Sequence, residues 1–150
     1  MSTLTTVPID VALLGALVLR PGHGAVTTFT GHVRDHHDGR VVTRLAYSAY
    51  APMAERESER IIAEAEAAWP VSVALRHRIG DLEVGDAAIC VAVGSAHRDE
   101  GFAACRFVVE EVKRRVPIWK HEFYDDGSDA WVDPTAGGGL APDAADQRFV

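Results

Sequence analysis

Lysine is confined to one short segment of this chain. Its two lysines, Lys113 and Lys120, lie within residues 112–122, and every other basic side chain except histidine is one of thirteen arginines. Arginine supplies permanent charge, whereas a lysine amine can lose its proton and act as a nucleophile or proton carrier. The pattern therefore favours amine chemistry in this segment. The alternative is that two lysines remain by chance in an arginine-rich composition.

The predicted local structure could bring the two amines together. Apolar residues at three- and four-residue steps predict a long helix over residues 99–115, which Pro117 ends before a strand over residues 118–124. The predicted core positions of the helix are Phe102, Cys105, Val109, Val112 and Val116. Lys113 would lie at the margin of this buried stripe, with Lys120 just past the turn. Two ammonium groups held close in a partly apolar site disfavour each other's charge.

Both lysines also have an ordinary structural interpretation. Lys113 could pair with Glu110 in a ladder of helix ion pairs, and Lys120 could be an exposed residue of an edge strand. Such surface pairs contribute little to stability and require no catalytic role.

Further basic residues suggest an anion site. His97 and Arg98 follow an apolar strand and precede the long helix, where backbone N–H groups favour anions, and Ser95 could cap that helix. His32 and Arg34 close the first predicted strand, and Arg34 would add a planar donor for phosphate or carboxylate. The alternative is a plain helix start with solvated charges.

Metal and thiol chemistry are not indicated. His36 and His37 lie in a charged turn without a carboxylate or thiol at ligand spacing, so both are expected to be solvated. Cys90 and Cys105 lie in apolar surroundings and are too far apart for a Cys-x-x-Cys pair, so both are expected in the core. No metal site and no cofactor are therefore assigned.

Length and charge limit the class of protein. The 150 residues carry a formal net charge of −7, which argues against general binding to nucleic acids or anionic membranes. No apolar run reaches membrane-spanning length and the start lacks a signal-peptide pattern, so a cytoplasmic protein is expected. Phosphate-binding, dinucleotide-binding and serine-hydrolase glycine motifs are absent from the sequence.

The remaining pattern predicts a mixed α/β or α+β sandwich, with helices packed on a largely antiparallel sheet. Two further helices are predicted over residues 9–19 and 52–69, and strands over residues 25–33, 41–50, 71–77 and 87–93. The first two strands are expected to form a hairpin, residues 80–86 a turn, and the last strand a central position covered on both faces. Residues 1–133 would form one domain, and the Gly- and Pro-rich residues 134–150 a flexible tail.

Five blocks in series carry a family resemblance. They are residues 29–35, residues 47–55, residues 77–80 with Gly85 and Asp86, residues 95–98, and residues 113–122. In order and spacing they resemble the MoaE family, the large catalytic subunits of molybdopterin synthase, over about residues 9–132. Each block alone is weak, but the series is specific.

The resemblance implies an α/β hammerhead-like fold with an added antiparallel β subdomain. It also implies a sulfurtransferase that converts cyclic pyranopterin monophosphate (precursor Z) into the dithiolene molybdopterin. The sulfur would arrive as the Gly-Gly thiocarboxylate of a small ubiquitin-like MoaD-type partner, and the large subunits would form a homodimer within a heterotetramer. Lys113 and Lys120 would be catalytic. The implied substrate-binding residues are His32, Val33, Arg34, His97, Arg98, His121 and Glu122.

One departure from the family pattern falls near the end of the chain. Where the family tends to carry a basic residue that reaches the neighbouring subunit's site, this chain has Thr135, and Arg148 is a possible substitute. Two other classes of protein compete with the sulfurtransferase. One is a non-catalytic module that binds a ubiquitin-like tail. The other is a small thioesterase-like enzyme with His97 as its base, which lacks a credible Ser or Cys nucleophile.

Overall fold

The computed structural model describes residues 1–132, which form three helices and two β-sheets. The helices are α1 (Val11–Val18), α2 (Ala51–Ala68) and α3 (Arg98–Arg115). The strands are β1 (Leu4–Thr5), β2 (Ala25–His32), β3 (His36–His37), β4 (Arg40–Ala49), β5 (Val71–Arg78), β6 (Gly80–Glu83), β7 (Ala87–Ser95), β8 (Ile118–Tyr124) and β9 (Asp129–Val132). The predicted α+β class is confirmed. The predicted tail, residues 134–150, lies outside the described residues, so the domain division stays a prediction.

The first sheet is built around β7. Its strands lie in the order β1-β5-β7-β2, and β7 pairs antiparallel with both neighbours. Because successive side chains of a strand face opposite sides, Val91 and Val93 pack in the cluster with α2 and α3, whereas Cys90 and Ala92 pack with α1. The prediction of a central strand covered on both faces is confirmed.

Helices α2 and α3 cover one face of this sheet. Ile61 in α2 and Val108 in α3 are fully buried in the cluster between them. The predicted core position of Phe102 is wrong, since this side chain is 59% exposed. Gly101 occupies the inward position instead, because a Cβ there would lie only 2.6 Å from Thr27 Oγ1. Within residues 1–132, no helix is both long and apolar enough to cross a membrane.

The second sheet is built around β4. Its order is β3-β4-β8-β9, and β6 also pairs with β4. The predicted hairpin of β2 with β4 is wrong: in the described residues β2 pairs with β7, and β4 pairs with β3, β6 and β8. The long apolar β7 takes β2 as its partner, which is a pairing between strands distant in sequence. β8 is thereby placed beside β4, with Lys120 opposite Tyr47.

Part of the predicted turn over residues 80–86 is also a strand. β6 begins at Gly80, which has a φ of +93°, and ends before Gly85, which has the same value. Glycine adopts this backbone region without steric cost, so the two glycines allow a short strand between two sharp changes of direction. Leu82 in this strand is buried against Val33 and Leu45 and ties β6 to β4.

Candidate active site

A pocket of about 370 Å³ is lined by residues of both sheets and of α3. Its lining residues are Gly31, His32, Arg34, Tyr47, His77, Ala88, Ile89, Val112, Lys113, Val116, Ile118 and Lys120. The volume is in the range of small-molecule sites. Both lysines of the chain therefore lie in the same pocket. Arg34 adds a permanent positive charge to the same lining.

Lys113 lies on the last turn of α3 with its amine free for the pocket. The alternative pairing with Glu110 is wrong, because Glu110 pairs with Arg106 at 3.2 Å. Glu111 pairs with Arg114 at 2.5 Å. Within residues 1–132, Lys113 forms no ion pair with a carboxylate, so the arginines of α3 take the acidic partners and leave the lysine amine available.

Lys120 is tied to a buried carboxylate. Residues two apart on a strand share a face, so Lys120 and Glu122 point to the same side of β8, and their Nζ and Oε1 atoms lie 3.7 Å apart. Glu122 is only 2% exposed and accepts a hydrogen bond of 2.5 Å from His37 Nδ1. The alternative of an exposed edge-strand lysine is wrong, because β8 lies between β4 and β9 and the Lys120 side chain is 20% exposed.

His77 is a pocket residue to which the sequence analysis gave no role. Burial lowers its pKa to about 4, and the nearby Lys113 ammonium adds to this effect. Its Nδ1 lies 2.9 Å from the Arg78 carbonyl oxygen, which can only accept, so Nδ1 carries the hydrogen and the neutral ring keeps a free lone pair on Nε2. The ring packs edge-on against Tyr47 at 5.0 Å. His77 lies between Arg76 and Arg78 at the end of β5, so the sequence alone does not distinguish it from its basic neighbours.

Tyr47 completes the inner wall of the pocket. Burial raises its pKa to about 12, and the Glu122 carboxylate contributes to the same shift. The phenol therefore stays protonated at neutral pH and can offer an O–H donor. Because Tyr47 lies directly opposite Lys120 in the β4–β8 pairing, the sheet fixes the spacing between this phenol and the amine.

The end of β2 and the residues that follow it place two of the predicted binding residues at the pocket. His32 is held by its Nδ1, 2.9 Å from the Gly85 carbonyl oxygen, and by its Nε2, 3.1 Å from Thr30 Oγ1. Arg34 is exposed, lines the pocket and forms no ion pair with the described residues. Val33, between them, is 5% exposed in the core, so its side chain does not reach the pocket.

His97 and Arg98 lie away from this pocket. They begin α3, whereas Lys113 lies near its end, and at about 1.5 Å per residue the two sites are about 22 Å apart along the axis. Both residues are exposed. The predicted capping role of Ser95 is wrong: His97 is the N-cap residue, and the buried Ser95 hydroxyl donates to the His97 carbonyl oxygen at 2.6 Å.

His121 and Glu122 are not among the pocket-lining residues. His121 faces the opposite side of β8 from Lys120, where it stacks on Trp131 at 4.4 Å and pairs with Asp129 at 2.5 Å. Glu122 lies beneath Lys120 rather than at the pocket surface. Direct substrate contact by either side chain, and by Val33, finds no support in this arrangement, because none of the three reaches the pocket.

The remaining candidates behave differently from one another. Cys90 and Cys105 are free and buried as predicted, and burial raises the pKa of the Cys90 thiol to about 11. His36 is exposed beside Asp35, as expected of a solvated residue. The same expectation for His37 is wrong, because its side chain is 16% exposed and bonded to Glu122. Among the described residues, no three His, Cys, Asp or Glu side chains are grouped to hold a metal ion.

Fold and pocket together define a small α+β protein with a cationic small-molecule site that contains two amines. The chain belongs to the MoaE family, because the family model described as MoaE protein matches residues 4–115. The molybdopterin synthase catalytic subunit of Nostoc sp. is 43% identical over 131 residues, which cover 86% of this chain and 79% of that relative. The molybdopterin synthase catalytic subunit of Pyrococcus abyssi is 48% identical over 119 residues, covering 79% of this chain and 80% of the relative. The crystal structure of molybdopterin synthase from Staphylococcus aureus is 36% identical with a TM-score of 0.83, covering 87% of this chain and 95% of that chain.

Proposed function

We propose that this chain is the catalytic subunit of a molybdopterin synthase. It transfers sulfur from the thiocarboxylated C-terminus of a small ubiquitin-like carrier to cyclic pyranopterin monophosphate, giving the dithiolene of molybdopterin in molybdenum cofactor biosynthesis. The observation that carries the proposal is that both lysines of a MoaE-family chain line one pocket. The cytoplasmic location expected from the sequence is part of the same proposal.

The pocket supports a division of work between the two amines. Lys113, which has no carboxylate partner in residues 1–132, is the principal catalytic group. It assists sulfur transfer, or its neutral amine takes the carrier's acyl group once the sulfur is bonded to the substrate: the C–N bond forms, the acyl C–S bond breaks and the sulfur stays on the substrate as a thiolate. Lys120, held near Glu122, supports it by proton transfer and by stabilising negative charge that develops on sulfur or oxygen. The buried cysteines do not compete as sulfur carriers, because a thiol with a raised pKa is a poor nucleophile.

Substrate binding draws on the cations around the amines. Arg34 is a bidentate donor suited to the substrate phosphate, and the fixed His32 ring lies beside it. His97 and Arg98 can join the same substrate only from a second copy, because the length of α3 separates them from Lys113 in their own chain. A homodimer would supply these two residues from the neighbouring chain. Thr135 and Arg148, considered as cross-subunit contacts, lie outside the described residues.

A reconstituted assay tests the function. The protein, a thiocarboxylated carrier and precursor Z are combined, and the dithiolene product is measured as its fluorescent oxidised derivative. Wild-type protein should form product, and Lys113→Ala should lower the rate by about a hundredfold or more, the usual scale of a lost acid-base or nucleophilic group. Lys120→Ala should also lower the rate.

Two further variants make the assay specific. Lys113→Arg keeps the charge but not an amine that can lose a proton, so full activity in this variant would exclude amine chemistry. Arg114→Ala removes an exposed neighbouring cation that does not line the pocket and should leave the rate unchanged. Tight carrier binding without product from the wild type would instead favour the non-catalytic binding module.

A further inference from the structure

A buried carboxylate connects the tip of a hairpin to the pocket. Glu122 on β8 receives His37 from β3 on one side and Lys120 on the other, and the same oxygen, Oε1, serves both contacts. His37 and Glu122 are 85 residues apart in sequence and are brought together by the pairing of β4 with both β3 and β8.

The contacts around Glu122 limit what each group can do. A carboxylate so poorly exposed requires hydrogen-bond donors, and His37 Nδ1 supplies one to Glu122 Oε1. The negative charge of Glu122 contributes to the raised pKa of both Tyr47 and Tyr124. On the other side of the His37 ring, Asp38 Oδ2 lies 3.5 Å from Nε2. Glu122 Oε1 is thus shared by His37 and Lys120, and Lys120 is the more distant of these two partners.

We propose that His37 is a positioning residue for catalysis, which holds the shared Glu122 carboxylate so that the Lys120 amine stays directed into the pocket. The proposal rests on the proposed function, because it assigns His37 an effect on that reaction through Lys120. With the donor in place, the carboxylate charge is divided between two partners. Without it, Glu122 draws the Lys120 ammonium inward and away from the substrate, and the amine reacts less readily.

The two amides of asparagine and glutamine provide a matched test. The side-chain nitrogen of Asn occupies the place of histidine Nδ1, whereas that of Gln occupies the place of Nε2. His37→Asn should therefore keep the donor to Glu122, and His37→Gln should misplace it with little change in polarity. His36→Gln, at the exposed neighbouring histidine, is the control.

Two readouts separate this inference from the proposed function. The first is kcat and KM for precursor Z in the reconstituted assay. His37→Gln should lower kcat by about tenfold to a hundredfold, the scale of losing a hydrogen bond to a charged group, with KM largely unchanged. The second is the rate at which an amine-acylating reagent labels Lys120 relative to Lys113, measured by peptide mass spectrometry on the protein alone. Labelling of Lys120 should slow in His37→Gln and remain normal in His37→Asn and His36→Gln.

The labelling experiment decides the inference even if the wild type forms no molybdopterin. An unchanged ratio of Lys120 to Lys113 labelling in His37→Gln would overturn it, and so would equal impairment of His37→Asn and His37→Gln. Thermal melting of each variant establishes that the comparison is made on folded protein.

Discussion

Acidification from pH 7.5 to pH 5 is expected to destabilise the protein through His77. The folded state lowers the pKa of this imidazole from 6.5 to about 4, mainly because burial disfavours the charged ring. Between pH 4 and pH 6.5, His77 is therefore mostly protonated in the unfolded chain and mostly neutral in the folded chain. The stability that depends on a neutral His77 is complete above pH 6.5, falls as the pH drops through 6.5, and is fully lost below about pH 4.

The size of this effect follows from the two pKa values. At pH 7.5 the linkage contributes less than about 0.1 kcal/mol, and at pH 5 it lowers the free energy of unfolding by about 2 kcal/mol. A loss of that size is a large fraction of the 5–15 kcal/mol (roughly) by which domains are usually stable. The free energy of unfolding should thus fall measurably in a pH range where most surface carboxylates remain ionised.

His77→Asn isolates this contribution. The Asn amide can replace Nδ1 as donor to the Arg78 carbonyl oxygen but does not titrate. The variant loses the edge-on packing against Tyr47, so its absolute stability should be lower at both pH values. The difference in unfolding free energy between pH 7.5 and pH 5 should nevertheless be about 2 kcal/mol smaller than in the wild type.

Urea unfolding followed by tryptophan fluorescence, at one fixed protein concentration, measures both differences. His36→Asn serves as the control, because that side chain is exposed and does not line the pocket, so this variant should leave the wild-type pH dependence unaltered. If the wild type and His77→Asn lost equal stability between the two pH values, His77 would not be buried in the neutral form, and its lone pair would not be available in the pocket at neutral pH.

Two further outcomes test the packing around β7. Gly94→Ala should prevent folding or destabilise the protein by several kcal/mol (about 3 or more), because its Cβ would lie 2.0 Å from the Val18 carbonyl oxygen. Gly22→Ala, where a Cβ meets no atom within 4 Å, should leave thermal melting nearly unchanged. A thiol reagent at pH 8 should label Cys90 and Cys105 only as fast as the protein unfolds, because burial raises the pKa of both thiols; rapid labelling of the native protein would contradict their core location.

The helices and the central strand could be predicted because their signals are local. The apolar periodicity over residues 52–69 predicted α2 to within one residue at each end, and the unbroken apolar run predicted the position of β7. Strand pairing could not be predicted in the same way. The turn between β2 and β4 resembles a hairpin turn, but β2 contributes more by covering the free edge of the buried β7 than by pairing with its neighbour in sequence.

The candidate site divides along the same line. Its amines could be found from composition alone, because the chain has only two lysines beside thirteen arginines. The groups that hold those amines could not, since the contact of His37 with Glu122 depends on three strands meeting in one sheet. A histidine in a charged turn has no local feature that distinguishes a solvated ring from a buried donor. By contrast, the alternation of side chains along β8 is a local feature of the sequence. It places Lys120 and Glu122 on one face of the strand and His121 on the opposite face.

The arrangement of cations also explains why an arginine-rich chain retains lysine at these two positions. Arg115 forms contacts of 2.6–2.7 Å with Glu57 and Glu64, and so links the end of α3 to α2. A guanidinium suits this task because it is always charged and offers several donors in a fixed plane. Lys113, two residues earlier, has no such partner in the described part of the chain and faces the pocket. Permanent charge is thus placed where the helices must be joined, and an amine that can release its proton is placed where sulfur transfer requires one.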